Sequence, residues 1–489
     1  MEGSSSDAAR WRDILTREHG AALTVVCLGV WLHAADALLV STMMPAIVAE
    51  IGGINLMPWT VALYEIGSIV AGAASGLLAL RYGLRLPMAA AACLFAAGCA
   101  ASAVAPEMWI LLAGRLLQGF GGGGLMALSF VSVGLLFPRR LIARAMGVVS
   151  TIWAVSAFLG PLIGGLFVEL ASWRLAFWFF AVQAVFLALW MAARSAQAKV
   201  KPKETAGDRF PILRLLWLSA GVVSIAYAGI EISALRTPAF ALGGIVCLAV
   251  FLRLDALRAD NRLLPLNPIS LRNPLGAALT MILCFTAATI AMSIYGPLLM
   301  TRLHGVSVLV AGYVLALEAV AWAGTAALLS GTPERRDPRM IFTGMLLITA
   351  SILGFAYSVA AGPVWLIACF AALQGCGFGM AWTFILRRAT TLAPEGETQR
   401  ASAAIPTVQR LGYALGAAYA GIVANAAGIG SLGVTASRDT VALNAIALDS
   451  IAVTIFLACL PLAALGLIAA GAFVRPVSSP DRVGRKNAG

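Results

Sequence analysis

Charge is what this sequence has least of. Asp, Glu, Lys and Arg together supply 11% of its 489 residues, and only 22 residues are acidic. An ordinary soluble domain carries about 25% charged residues, so this chain cannot cover a water-facing surface in the usual way. Histidine is scarcer still, with three in the whole chain. The eight cysteines fall in or beside long apolar stretches, with no C-x-x-C pair and no Cys-His cluster. That excludes a disulfide framework and a zinc site of the familiar spacings. No acid, base and nucleophile set stands out either, so no enzyme, metal or organic cofactor is expected.

What is present is hydrocarbon: 61% of residues are hydrophobic and the mean hydropathy is +0.91. Such values describe an integral membrane protein. Crossing a bilayer as a helix takes about 20 mostly apolar residues. Fourteen runs qualify, at 20–45, 57–80, 86–105, 108–137, 141–168, 173–193, 213–235, 238–254, 275–299, 308–331, 339–361, 363–386, 401–427 and 449–473. A polar, arginine-bearing arm (Arg10, Arg12, Arg17) precedes the first, which suits an uncleaved first helix.

The net charge of +12 follows this topology. With both termini cytoplasmic, only Arg174, Arg236, Arg302 and Arg438 fall on the far side, and Arg115 and Arg410 fall within spans. The positive-inside rule is met. The basic excess therefore sets orientation and contact with anionic lipid, and implies no nucleic-acid partner.

Ionisable groups inside the spans carry the functional signal. An arginine at the bilayer centre costs roughly 2.5 to 3.5 kcal/mol, so Arg115 must find a partner. His33 and Asp36 lie one helical turn apart on the first span. At about 1.5 Å per residue, Asp36, Glu65 in the second span and Arg115 in the fourth reach one level of the outer leaflet. These three, with His33 beside them, are the expected proton-coupling site; an ion pair that only fixes packing is the competing explanation. Glu318 in the tenth span and Arg410 in the thirteenth both approach the midplane and form an expected second pair. Gly119, Gly121 and Gly124 match a dinucleotide fingerprint in spacing alone, since no strand precedes them. Close helix packing is the better account of these glycines.

Several stretches resemble the major facilitator superfamily. The turn Gly76-Leu77-Leu78-Ala79-Leu80-Arg81-Tyr82-Gly83-Leu84-Arg85 is similar to its cytoplasmic loop motif, through Gly76, Ala79, Arg81, Gly83 and Arg85. Leu80 stands where the family has an Asp that helps hold the cytoplasmic side closed. Arg115-x-x-Gln118-Gly119 resembles its intramembrane arginine motif, and Gly160-Pro161-Leu162-Ile163-Gly164-Gly165 its antiporter signature. Ala35-Asp36, Trp173-Arg174-x-x-Phe177 and Gln409-Arg410-Leu411-Gly412 extend the likeness to the fourteen-helix drug:proton antiporters.

The resemblance implies an all-α membrane protein with fourteen transmembrane helices in a two-bundle fold. Residues 1–193 would form an N-terminal six-helix bundle, 194–270 a cytoplasmic linker and two extra helices, and 271–489 a C-terminal six-helix bundle. It implies a plasma-membrane protein, in a bacterium the inner membrane, that exports small amphipathic or lipophilic compounds by alternating access with the proton as coupling ion. Tyr295, Trp322, Gln374 and Trp382 would line the cargo cavity. Lipid export or flipping on the same fold is the alternative. A membrane enzyme using Asp36, His33 and Glu65 is a third reading, without a supporting constellation.

Overall fold

A computed structural model of the chain describes residues 16–193, 210–258, 262–394, 397–431 and 438–475. Arg10 and Arg12 of the N-terminal arm, residues 194–209 of the expected cytoplasmic linker, residues 432–437 between the last two crossings and the tail after 475 lie outside the described residues. Regular structure among the described residues is helical throughout, with short 3-10 turns at Ile54–Leu56, Glu334–Arg336 and Ile429–Ser431. A lipid-embedded backbone must satisfy its own N–H and C=O groups, and a helix does so within one segment.

The first set comprises α1 (Arg17–Ile51), α2 (Met57–Tyr82), α3 (Arg85–Ala103), α4 (Met108–Leu136), α5 (Arg139–Leu170) and α6 (Trp173–Ala193). An intervening pair follows, α7 (Ile212–Ala228) and α8 (Arg236–Ala256). The last set is α9 (Pro274–Leu303), α10 (Val308–Leu329), α11 (Asp337–Ser358), α12 (Val364–Leu392), α13 (Thr398–Ala426), α14 (Arg438–Ala458) and α15 (Leu460–Val474). Cys459 interrupts the final crossing between α14 and α15.

Twelve spans among the described residues are long and apolar enough to cross a membrane. Of the fourteen expected, two differ in character. The helix Ile212–Ala228 has 17 residues, and α13 is long enough but diluted by Gln, Arg, Thr, Ser and Gly.

The two sets repeat one packing plan. In the first, α4 packs on α2 and α3, α1 on α5, and α3 on α6; in the last, α12 packs on α10 and α11, α9 on α13, and α11 on α14 and α15. Each contact recurs eight helices later, which is the internal repeat common in transporter folds. The intervening α7 lies against α2 and α13, where Val222 meets Ile66 and Ala414 in a small apolar cluster. Arg214 and Asp255 form a buried ion pair of 2.5 Å, and Asp255 also accepts the backbone N–H groups of Leu263 and Leu264 at 2.9 Å. This pins the approach to α9.

We call the end of the molecule bearing Thr16 proximal and the opposite end distal. Named contacts between the two sets gather in the distal half. Glu169 Oε1 accepts the Leu309 N–H at 3.2 Å, the rings of Phe158 and Tyr313 lie 5.4 Å apart, and Asn425 Nδ2 donates to the Asn55 carbonyl at 3.0 Å. The distal rim of the first set is tied by Glu50, which accepts from Trp173 Nε1 at 2.6 Å and from Arg174 Nη2 at 2.9 Å.

At the proximal end the loop motif makes a two-residue reversal between α2 and α3. Gly83 has φ +72°, a conformation that favours glycine. Arg85 donates to the Ala192 carbonyl at the end of α6, Arg81 lies 5.4 Å from the Tyr82 ring centroid, and Gly76 faces open space.

Candidate functional site

Glycines set the positions of the site's helices. A methyl group on Gly119 would lie 2.2 Å from the Tyr64 carbonyl oxygen, and one on Gly123 would lie 2.2 Å from Ser68 Oγ. Gly121 meets Phe95 N at 2.3 Å and Gly114 meets Ser102 Oγ at 2.3 Å in the same sense. The run therefore lets α2 and α3 touch the α4 backbone, as small residues do in membrane helix pairs. One turn before Gly119, Arg115 is left among polar groups rather than in lipid.

Arg115 is 3% exposed and Asp36 is fully buried. Arg115 Nη1 donates to Asp36 Oδ2 at 2.5 Å and to Gln118 Oε1 at 2.7 Å, and its Nε donates to the Thr60 carbonyl at 3.2 Å. Its guanidinium carbon stands 4.4 Å from the Tyr64 ring centroid, a cation–π distance. Gln118 Nε2 in turn donates to Cys99 Sγ at 3.1 Å. Asp36 Oδ1 is buried with no hydrogen-bond partner. The two helices expected to meet through Asp36 and Arg115 do so.

Glu65 takes a different partner. Successive helical residues point about 100° apart, so Tyr64 faces α4 while Glu65 faces α13. Arg410 of α13 donates from Nη1 to Glu65 Oε2 at 3.2 Å and to Ser68 Oγ at 2.5 Å. Its Nη2 lies 3.0 Å from His33 Nε2, and His33 Nδ1 lies 2.7 Å from the Tyr64 hydroxyl. Trp153 of α5 sets its ring edge-on to His33, with centroids 6.0 Å apart.

The expected pairing of Glu318 with Arg410 is therefore corrected. Glu318 is on the face of α10 that meets α12: its carbonyl oxygen would lie 2.0 Å from a methyl on Gly375, next to Gln374. It forms no ion pair among the described residues. Depth along two helices was matched correctly, but their facing sides were not. A double-mutant cycle separates the two pairings. Glu65→Gln with Arg410→Gln is expected to show coupling of about 0.5 to 3 kcal/mol in unfolding measurements, because each single change strands the other group. Glu318→Gln with Arg410→Gln is expected to be additive. Coupling at Glu318 and additivity at Glu65 would reverse the assignment.

Gly160 and Gly164 lie on one face of α5 against α1, where methyls would lie 3.0 Å from the Ala35 carbonyl oxygen and 3.1 Å from the Leu39 carbonyl oxygen. Gly165 faces the other set, where a methyl on it would lie 2.8 Å from Leu309 Cα, and Pro161 Cβ lies 3.0 Å from the position of a methyl on Gly312 of α10. The signature thus serves two contacts at once: it seats α5 one residue from Asp36 and brings it against α10.

Of the expected cargo residues, Trp322, Gln374 and Trp382 come together on α10 and α12. Trp322 stacks on Phe378 at 4.8 Å and meets Trp382 edge-on at 5.8 Å. Gln374 Oε1 accepts from Ser351 at 3.2 Å, and its amide group is directed to the Glu318 carboxylate. Tyr295 is enclosed in the core of α9, its hydroxyl without a partner. In this conformation Tyr295 and Gln374 present no open surface. Tyr64, Ser68 and Thr60 complete the first-set network and were not expected as site residues, whereas Gln118 belongs to the arginine motif read in the sequence. Tyr64 and Ser68, one turn apart and flanking Glu65, were the available signal.

Residues 26–417 match the family model of the Major Facilitator Superfamily. The chain belongs to the Major Facilitator Superfamily. It is 31% identical over 437 residues to a probable multidrug-efflux transporter of Mycobacterium tuberculosis, covering 87% of this chain and 92% of that one. It is 25% identical over 371 residues to the multidrug efflux pump SdrM of Staphylococcus aureus, covering 74% of this chain and 80% of that one.

Among solved structures, a bacterial homolog of the human lysosomal transporter Spinster, inward-facing and unoccupied, superposes with a TM-score of 0.63 at 14% identity. That likeness covers 95% of this chain and 100% of that one. A D-xylose-proton symporter superposes with a TM-score of 0.59 at 15% identity, over 91% of this chain and 97% of that one. Both show the fold. The protein is a multi-pass membrane transporter of this superfamily and not an enzyme.

Proposed function

We propose that this transporter exports small amphipathic or lipophilic compounds, driven by the proton gradient. The observation that carries this is the buried Asp36–Arg115 pair at 2.5 Å, whose carboxylate has one oxygen wholly without a partner. A carboxylate held half-satisfied beside a cation changes its proton affinity whenever a rearrangement of the helices shifts that cation. Proton binding and helix arrangement are then linked, because a proton biases a conformational equilibrium through its differential affinity for the two states. The multidrug-efflux names carried by the relatives support the direction and breadth of cargo.

In this reading the chain crosses the plasma membrane fourteen times, with Ile212–Ala228 and Thr398–Ala426 completing the count and both termini cytoplasmic. Two six-helix bundles, 1–193 and 271–489, rock about the seam, and 194–270 supplies the linker and the extra pair. The distal contacts described above suit a state closed to the outside. Trp322, Phe378 and Trp382 offer an aromatic wall for cargo when the seam opens. An apolar groove of about 270 Å³ exists in the wall of the first set, but it is lined only by residues of α2, α3 and α4. It is not a sideways opening of a cavity between the bundles, which lipid export would call for.

Purified protein in proteoliposomes under an imposed pH gradient tests the proposal. Lipophilic dyes and drugs should accumulate against their gradient only while the proton gradient lasts. Accumulation that is indifferent to the gradient, or transport confined to labelled lipids, would overturn it.

A further inference from the structure

We infer that Arg410 is a latch across the bundle seam that is shut only while His33 is neutral and Glu65 is ionised, so that a proton on either residue loosens the distal closure. The inference rests on the proton-coupled reading and names the second bundle's part in it. Among the described residues, Arg410 is an α13 side chain whose hydrogen bonds all go to the first bundle: Glu65 Oε2 at 3.2 Å, Ser68 Oγ at 2.5 Å and His33 Nε2 at 3.0 Å.

The chemistry of these contacts fixes the protonation that they require. A guanidinium has only donors, so His33 Nε2 must offer its lone pair. The imidazole hydrogen then sits on Nδ1 and is donated to the Tyr64 hydroxyl at 2.7 Å. A second proton on His33 would set N–H against N–H and cation against cation. A proton on Glu65 would remove the counter-charge. Both act in one direction, and when both are protonated Ser68 alone remains to hold the arginine.

The surrounding groups leave the seam few substitutes. Around the latch stand Asp36 on α1, Tyr64 and Glu65 on α2, Arg115 on α4, Arg410 and Tyr413 on α13, and Glu318 on α10, which acts on Tyr413; Cys99 on α3 lies by Asp36 and Arg115. Asp36 is already engaged by Arg115. The α5 neighbour of His33 is Trp153, and α7 covers the seam with Val222 against Ile66 and Ala414. Tyr64 joins the two halves of the network, since its ring receives Arg115 and its hydroxyl receives His33.

The test is a distance measurement without cargo or gradient. Spin labels are placed at Leu170 and Ala361, exposed positions at the distal ends of the two bundles, on a cysteine-free background of the full chain. The short-distance population should fall on acidification from about pH 8 to about pH 5. Arg410→Gln should lower the closed-to-open ratio about tenfold at neutral pH, in line with loss of charged hydrogen bonds, and flatten the pH response. His33→Gln keeps an acceptor that cannot become charged, so neutral-pH closure should persist and the acid opening should shrink. Wild-type populations and pH response in Arg410→Gln would overturn the latch, and so would an unchanged acid opening in His33→Gln should Arg410→Gln fail to fold. A pH-responsive seam in a protein without proton-driven transport would keep the latch and remove the proposed function; proton-driven transport with a pH-indifferent seam would do the reverse.

Discussion

Arg115→Ala is expected to abolish uphill transport and to lower stability by about 3 to 5 kcal/mol, the cost of breaking a buried ion pair from one side. Asp36 is fully buried, and its Oδ2 would join Oδ1 without a partner. Gln118 Oε1 and the Thr60 carbonyl would lose the same donor. Arg115→Lys should recover only part of the loss, because one ammonium cannot repeat a planar fork that serves three acceptors and a ring face. Asp36→Asn keeps the shape and removes the titrating proton, so cargo binding should survive while gradient-driven accumulation is lost. Thermal unfolding in detergent and the proteoliposome assay read the two effects separately. Wild-type uphill transport by either Arg115→Ala or Asp36→Asn would make the pair a packing device only.

The second large effect is expected from a single methyl group. In Gly119→Ala the added carbon would stand 2.2 Å from the Tyr64 carbonyl oxygen, a backbone atom that cannot rotate away. Helix α2 must retreat, and it carries Thr60, Tyr64, Glu65 and Ser68 with it. Overpacking of this kind typically costs about 1 to 3 kcal/mol, and here it also pulls apart the hydrogen bonds of Arg115 and Arg410. Gly134→Ala in the same helix is the control: nothing lies within 4 Å, and alanine should be neutral or better by up to about 1 kcal/mol of helix propensity. Thermal midpoints of the two variants decide the matter. Equal midpoints would mean that the glycine run is not what brings α2 and α4 together.

The membrane class and the helices were legible in the chain because hydrocarbon length and local hydrogen bonding decide them without tertiary help. Twelve spans met the apolar criterion directly. Helix α13, read as a span from the run at 401–427, is not among them, because Gln409 and Arg410, with its Thr, Ser and Gly, dilute it, and those two side chains are placed where they can serve the seam. Depth was legible too, since counting residues from a helix end at a fixed rise gives height. That is why the sequence places Asp36 and Arg115, on helices that pack together, at one height.

Azimuth was not legible. Glu65 and Tyr64 differ by one residue and so by about 100° around α2, enough to send the carboxylate to Arg410 and the ring to Arg115. Glu318 has a suitable height for Arg410 but faces α12, where Gly375 admits its backbone. By itself the sequence determined a helical membrane protein with scarce charges held at one level, because composition and rise per residue are local properties, while its likeness to major facilitator motifs implied a transporter. Which of those charges meet, and that Arg410 crosses from one bundle to the other to reach His33 and Glu65, was decided only by the tertiary structure, because helix rotation and partner choice depend on the packing of all the helices together.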